Sequence, residues 1–135
     1  MKKVELKEIG TAVVFGNGVC VLNTTPHPIT MQDVDGGLVS VPTTVLINAK
    51  AEEKQVDDLF VETVFAGTVE GTDIIRKIEE AYQKTKCADR LVIVGSIIAA
   101  QAYPGKVVGL CPIPGYERVA PAEKRMRCDK FTVFH

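Results

Sequence analysis

The segment Asn23–Ile29, which reads Asn-Thr-Thr-Pro-His-Pro-Ile, constrains the fold more than any other part of the sequence. Each of its two prolines fixes its own φ at about −65° and pushes the residue before it toward an extended backbone. The apolar run Val19–Leu22 must therefore end here, and His27, between the prolines, must be extended. The segment predicts a rigid polar corner that joins two β-strands.

Two glycine-containing turns make the rest of the first half a series of β-hairpins. Gly16-Asn17-Gly18 and Asp35-Gly36-Gly37 each separate two apolar runs, and Asn and Gly both accept positive φ. Residues 50–58 are polar and predict an exposed loop or a short helix. The strands predicted in this half are Thr11–Phe15, Val19–Leu22, Ile29–Val34, Leu38–Val41 and Val45–Ala49.

The second half alternates strands with helices. Thr72 is a candidate N-cap for an amphipathic helix that ends at about Lys86. Gly95-Ser96 leads from an apolar run into a short helix over Ile97–Tyr103, which Pro104 ends. The strands predicted here are Phe60–Phe65, Leu91–Val94, Val107–Cys111 and Lys130–Phe134.

This order of elements predicts an α/β fold in one domain that covers residues 1–135. N-terminal β-hairpins are joined to a strand–helix–strand–helix–strand unit in a mixed sheet. Right-handed crossovers would make the three strands of that unit parallel. A chain of this length suits a single core of ordinary size.

Composition argues against several classes of function. The net charge of −1 gives no field that would attract duplex nucleic acid or an anionic membrane, and the chain has no Trp. The longest apolar stretch, Ile97–Ala100, is far too short to span a bilayer, and the charged N-terminus does not resemble a signal peptide. We therefore expect a cytoplasmic protein without membrane contact.

The cysteines and carboxylates suggest no cofactor. The cysteine spacings match no zinc template, and without an export signal we expect reduced, buried thiols. The acidic residues form no evident catalytic or metal-binding group, so we expect neither a metal nor another cofactor. The cysteines are Cys20, Cys87, Cys111 and Cys128.

The proline-flanked corner is the first candidate site. Asn23, Thr25 and His27 could contact the base or ribose edges of a ligand, and His27 could act as a general base. No Ser, Cys or carboxylate partner stands at a recognised spacing from His27. The structural alternative is a turn histidine whose ring bonds the local backbone.

The helix that follows Gly95-Ser96 is the second candidate. A helix N-terminus at the carboxyl end of a buried strand directs backbone N–H groups toward an anion, and Ser96 could add a donor. Gln101 in the same helix is a further candidate ligand contact. The alternative is that Ser96 is simply an N-cap.

The basic stretch Gly115–Lys130 is the third candidate. It carries five basic and three acidic residues, which gives a local charge of +2. Arg118, Arg125 and Arg127 could contact phosphates, and Tyr103 or Tyr116 could stack on a base. The alternative is a solvated loop with internal ion pairs.

The corner and the strand–Ser–helix element also resemble a family of small proteins encoded by bacteriophages and prophages. The resemblance rests on Asn23–Ile29, Asp35-Gly36, Val92–Ser96, Ala100–Ala102 and Pro104. The Thr-Pro-His-Pro core is its most specific part. The chain departs from the family pattern at Thr24, where Leu is usual, and in the tail around Arg118–Lys130.

This resemblance implies a phage protein that acts in the host bacterial cytosol. By analogy, a small phage protein with an anion-ready tail suggests a counter-defence sponge for the nucleotide signals of bacterial immunity. Together with the candidate sites it predicts a non-catalytic protein that sequesters a small phosphorylated, nucleotide-derived ligand, such as a cyclic nucleotide or cyclic ADP-ribose. A homo-oligomer is expected, because a small domain most easily encloses a ligand between subunits. The alternatives are an enzyme that degrades such a nucleotide through His27, and an inhibitor of a host protein.

Overall fold

A computed structural model describes all residues from 1 to 135 and contains ten strands and two α-helices. A single 3₁₀ turn, Pro121–Glu123, precedes the last strand. The elements are β1 Lys2–Leu6, β2 Gly10–Val14, β3 Val19–Asn23, β4 Ile29–Gln32, β5 Leu38–Val41, β6 Ala49–Gln55, β7 Val61–Gly67, α1 Val69–Thr85, β8 Arg90–Val94, α2 Ile97–Ala102, β9 Val107–Pro112 and β10 Met126–Thr132.

Eight of the strands form one mixed sheet in the order β1-β2-β3-β8-β9-β10-β4-β5. β3, β8 and β9 are parallel, and Asn23 at the end of β3 pairs with Val94 at the end of β8. β10 is antiparallel to β9 and parallel to β4. The predicted α/β fold with a mixed sheet is confirmed.

Both faces of this sheet are buried, which explains why its central strands are continuously apolar. Along β3, Cys20 and Leu22 point to a core that α1 and α2 cover, whereas Val21 points to a second core. The second core contains side chains from both halves of the sheet, including Met31 and Val41. The sheet therefore curls around it, and an isolated bridge between Asn23 and Thr43 joins the two halves.

The two predicted turns form β-hairpins. Gly18 has a φ of +83° and Gly36 a φ of +90°, a left-handed region that glycine enters without strain. β3 continues to Asn23 and the chain turns immediately afterwards, as the prolines require.

The region between residues 45 and 67 differs from the prediction. Residues 45–48 are not a strand, and the expected loop or helix over 50–58 is largely β6, which pairs along its whole length with β7. β6 and β7 form a separate two-stranded sheet, so β7 is not parallel to β8 and β9. The parallel partner of β8 on its other side is instead β3.

Other elements also differ from the prediction. The N-cap of α1 is Thr68, whose Oγ1 accepts a hydrogen bond from the Gly71 N–H at 2.9 Å, rather than Thr72. β10 starts at Met126, four residues before the predicted start, and β1 was not predicted. Neither helix combines the length and apolar character needed to cross a membrane.

Candidate functional site

The corner after β3 is held together by one buried side chain. Asn23 is fully buried, and its Nδ2 donates to the carbonyl oxygens of His27, at 2.8 Å, and Val41, at 3.1 Å. Its Oδ1 accepts from the backbone N–H of Thr25 at 2.8 Å and from the Thr25 hydroxyl at 2.6 Å. The amide of Asn23 thus uses both donors and both lone pairs inside the protein.

The Asn23 carbonyl and the Thr24 hydroxyl are also hydrogen-bonded within the chain. Its carbonyl oxygen accepts from the backbone N–H and the hydroxyl of Thr44, at 3.0 and 2.8 Å. The buried Thr24 hydroxyl donates to the Val94 carbonyl at 2.7 Å. These bonds tie the corner to β8 and to Thr44, which lies just after β5. The polar groups of Asn23, Thr24 and Thr25 therefore shape the corner.

His27 is the exposed member of the corner. Its carbonyl oxygen accepts from the Asn23 amide, whereas its ring makes no hydrogen bond within the chain. The imidazole therefore faces solvent with both nitrogens available. No Ser, Cys or carboxylate side chain is hydrogen-bonded to it, so this structure assembles no nucleophile–base pair at the corner.

Ser96 lies at the same edge of the sheet as the corner. β3 and β8 are parallel and end in register, and the backbone N–H of Thr24 donates to the Val94 carbonyl at 2.8 Å. Ser96 is the N-cap of α2: its exposed hydroxyl accepts from the Ala99 N–H at 3.1 Å. The two sequence elements are thus brought side by side, with Ser96 already bonded as a cap.

Tyr103 has a structural environment. It is buried, and its hydroxyl donates to the Asn48 carbonyl at 2.6 Å and accepts from the Thr68 N–H at 2.9 Å. Gly67 and Gly71 leave room for the ring, since a Cβ on either would lie within 2.7 Å of a Tyr103 atom. The side chain fastens α2 to the start of α1. Gln101, on α2, is exposed.

The tail that follows β9 brings two other predicted residues together. The Arg125 guanidinium lies over the Tyr116 ring, 4.7 Å from its centroid. Both residues are anchored on Ile113, whose backbone N–H donates to the Arg125 carbonyl at 2.8 Å and whose carbonyl accepts from the Tyr116 N–H at 2.9 Å. Arg125 makes no ion pair, and the electron-rich face of the ring attracts its cation.

The other two arginines of the tail differ from Arg125 and from each other. Arg127 donates two hydrogen bonds to the Asp129 carboxylate, at 2.7 and 3.0 Å. This bond lowers the pKa of Asp129 and occupies the planar fork that a phosphate would need. Arg118 is exposed and makes no ion pair.

A cleft of about 410 Å³ adjoins the Tyr116–Arg125 stack. The hairpin formed by β4 and β5 contributes Thr30 and Leu38, and β4 begins two residues after His27. Lys124 and Arg125 against Glu123 leave the cleft a net charge of +1. The remaining lining residues are Tyr116 and Ala122.

The structure therefore divides the predicted residues among separate places. Tyr116 and Arg125 line this cleft, Tyr103 lines a different one of about 490 Å³ beside Arg76, and Arg127 lines a third of about 210 Å³. Asn23, Thr25, His27 and Ser96 meet at the sheet edge. Lys124 was missed as a candidate, although it is the immediate neighbour of Arg125 in a basic stretch.

Asp33 is a buried charge that sequence reasoning did not single out. Burial would raise the pKa of its carboxyl group, but hydrogen bonds from the backbone N–H groups of Gly16, at 2.9 Å, and Val34, at 2.7 Å, together with the charged amino group of Met1 at 3.5 Å, outweigh burial and hold the pKa below its usual value. The carboxylate thereby joins the first hairpin to the second. In the sequence, Asp33 looks like an ordinary turn residue before Asp35-Gly36.

The thiols and potential metal ligands form no reactive centre. Burial, with the Cys87 Sγ atom 4.0 Å away, raises the pKa of the Cys20 thiol to about 12, which keeps it protonated at neutral pH. All four cysteines are free. No group of three or more His, Cys, Asp or Glu side chains is arranged to hold a metal ion.

Comparison with family models and curated proteins, and of the fold with solved structures, finds no match.

Proposed function

We propose that the protein binds and sequesters a small phosphorylated, nucleotide-derived ligand of the cyclic nucleotide or cyclic ADP-ribose type, without cleaving it. In this proposal, the ligand occupies the cleft beside Tyr116. A role in phage counter-defence within the bacterial cytosol belongs to the same proposal and rests on the resemblance carried by the Asn23–Ile29 segment.

The observation that carries the proposal is the unpaired Arg125 guanidinium on the Tyr116 ring, 4.7 Å from its centroid. A guanidinium without a carboxylate partner keeps its N–H fork available for phosphate oxygens, and an adjacent aromatic ring offers a face for a base. Arg127, whose fork Asp129 occupies, shows the contrasting arrangement in the same tail.

The size and surroundings of the cleft suit such a ligand. A volume of about 410 Å³ lies within the range of small-molecule sites. Lys124 adds a second cation, and the Thr30 hydroxyl and the Leu38 side chain supply a polar and an apolar wall.

Isothermal titration calorimetry with a panel of cyclic dinucleotides, cyclic mononucleotides and cyclic ADP-ribose isomers tests the proposal. We expect binding of at least one member with a strong salt dependence, because phosphate contacts dominate. Absence of binding across the panel would overturn the assignment.

A second measurement separates sequestration from catalysis. The ligand is incubated with the protein, the protein is denatured, and the supernatant is analysed by mass spectrometry. Intact ligand supports a binding protein. A new product would instead establish an enzyme, and His27→Ala would then show whether the exposed imidazole takes part.

A further inference from the structure

The hairpin formed by β6 and β7, residues 49–67, projects from the body as an arm. Its base contacts α2, but every residue from 51 to 64 is exposed. The two strands belong to no larger sheet. Because an isolated two-stranded hairpin is marginally stable in water, an arm of seven-residue strands without support from the body calls for a surface that covers it.

The tip of the arm is apolar. Leu59 is 84% exposed, Phe60 64% and Val56 63%, and Val61 and Val64 continue the patch along β7. Adjacent large apolar side chains at this exposure mark an interaction site rather than an ordinary surface.

The charge of the arm identifies the complementary surface. Five carboxylates against two lysines give residues 49–67 a net charge of −3, and Asp57 and Asp58 stand within the apolar tip. The surface that receives the tip should therefore combine an apolar floor with unpaired cations.

The chain itself carries such a surface. A cleft of about 590 Å³ lies between the turn after β1 and the last two turns of α1, with Ile9 and Ala81 as its apolar residues. Lys7 and Lys84 at this cleft make no ion pair, whereas the Glu80 carboxylate is bonded to Arg76 at 2.9 Å. Glu8 is the other carboxylate at the cleft. The groups without an ion pair, Lys7, Lys84 and Glu8, therefore have a net charge of +1.

We infer that two copies of this chain exchange arms, so that the apolar, acidic tip of each arm docks in the basic cleft of the other copy. The arm enters α1 at its N-terminal end, while the cleft adjoins the second half of this 17-residue helix, about 12 to 24 Å further along its axis. The arm therefore leaves the cleft of its own chain unfilled. Reciprocal exchange about a two-fold axis covers the apolar tip of both arms and fills both clefts.

Sedimentation equilibrium of the purified chain tests the exchange. The expected mass is twice the 14.6 kDa of one chain at micromolar concentration. Leu59→Asp with Phe60→Asp should yield a monomer that still unfolds cooperatively in urea, since both side chains are exposed and lie outside the two hydrophobic cores. A monomeric wild type, or a dimer that this double variant leaves intact, would overturn the inference.

Charge reversal tests the location of the cleft independently. Asp58→Lys with Glu62→Lys, two exposed carboxylates that make no hydrogen bond within the arm, and separately Lys7→Glu with Lys84→Glu, should each weaken the dimer at least tenfold, and all four changes in one chain should restore it. Lys2→Glu with Lys130→Glu, which alters the charge equally outside the cleft, is the matched control and should have little effect. Failure of the four-fold variant to recover would contradict docking in this cleft.

Discussion

The corner after β3 and the tail after β9 are both polar, yet the polar groups of the corner are hydrogen-bonded within the chain and those of the tail are partly free. In the corner, the Asn23 amide makes four hydrogen bonds within the chain and leaves no capacity for a ligand. In the tail, Arg125 rests on Tyr116 without a carboxylate partner. A side chain that is free to bind, rather than one that stands out in the sequence, is therefore the better candidate for a binding group.

Replacing Asn23 should produce the largest effect on stability. Asn23→Ala removes the four hydrogen bonds of a buried amide, and we expect the free energy of unfolding to fall by about 3 to 4 kcal/mol. Urea denaturation measures this loss. Ser96→Ala, which removes only an exposed cap at the same sheet edge, should cost about 1 kcal/mol. Equal losses in the two variants would show that the corner is not held by Asn23.

Asp33 is a second polar side chain whose hydrogen bonds lie within the chain. Two substitutions distinguish the effect of its charge from that of its hydrogen bonds. Asp33→Ala leaves the Gly16 and Val34 N–H groups without their acceptor and should cost about 2 to 3 kcal/mol at pH 7. Asp33→Asn keeps an oxygen that accepts both bonds and should cost about 1 kcal/mol.

The pH dependence of these variants follows from the lowered pKa of Asp33. A carboxylate with a depressed folded-state pKa stabilises the protein above its unfolded pKa, about 3.9, and loses that contribution as the pH falls through the folded value. The stability gap between wild type and Asp33→Asn should therefore shrink when urea unfolding is repeated at pH 3. A gap of constant size would contradict the stabilising role of the charge.

Arg125 tests whether the free guanidinium of the tail binds the ligand. Arg125→Ala should weaken ligand binding by about 10- to 100-fold, the equivalent of one charge-assisted contact, and change the free energy of unfolding by under about 0.5 kcal/mol. Arg127→Ala is the matched control, because Asp129 already occupies that guanidinium, and should alter affinity by under about threefold. Calorimetry on both variants measures the contrast, and a reversed order of effects would place the ligand elsewhere.

His27 should give the smallest effect. Its ring makes no hydrogen bond within the chain, so His27→Ala should change the free energy of unfolding by no more than about 0.5 kcal/mol despite the position of the residue in the most constrained segment. Thermal denaturation followed by circular dichroism is sufficient. A loss comparable with that of Asn23→Ala would mean that the imidazole, and not only the backbone, supports the corner.

Local rules predicted the parts of the fold that depend on a few neighbouring residues. Proline geometry located the end of β3, and positive-φ glycines at Gly18 and Gly36 located the hairpins. Buried apolar runs located β3, β8 and β9. Both their faces are covered, so these strands show no alternation that would have revealed which partners they pair with.

Contacts distant in sequence decided the rest. Thr68 and Thr72 are chemically equal as N-caps, but Thr68 is fixed by Tyr103, which lies 35 residues later. The charged residues of β6 suggested a loop. The segment is a strand because it pairs with β7, and that pairing is not visible in the residues of β6 alone. Likewise, the sequence presents Arg118, Arg125 and Arg127 as equivalent, and only the positions of Tyr116 and Asp129 distinguish them.

The small molecules released by the denatured protein show directly whether the Tyr116–Arg125 cleft holds a nucleotide-derived ligand. The wild type and Arg125→Ala are purified in parallel from bacteria that produce the nucleotide signal, and the released fractions are compared by mass spectrometry. We predict an intact phosphorylated, nucleotide-derived species from the wild type and its loss from Arg125→Ala. The absence of such a species from the wild type, or its equal recovery from the variant, would contradict binding at the Tyr116–Arg125 cleft.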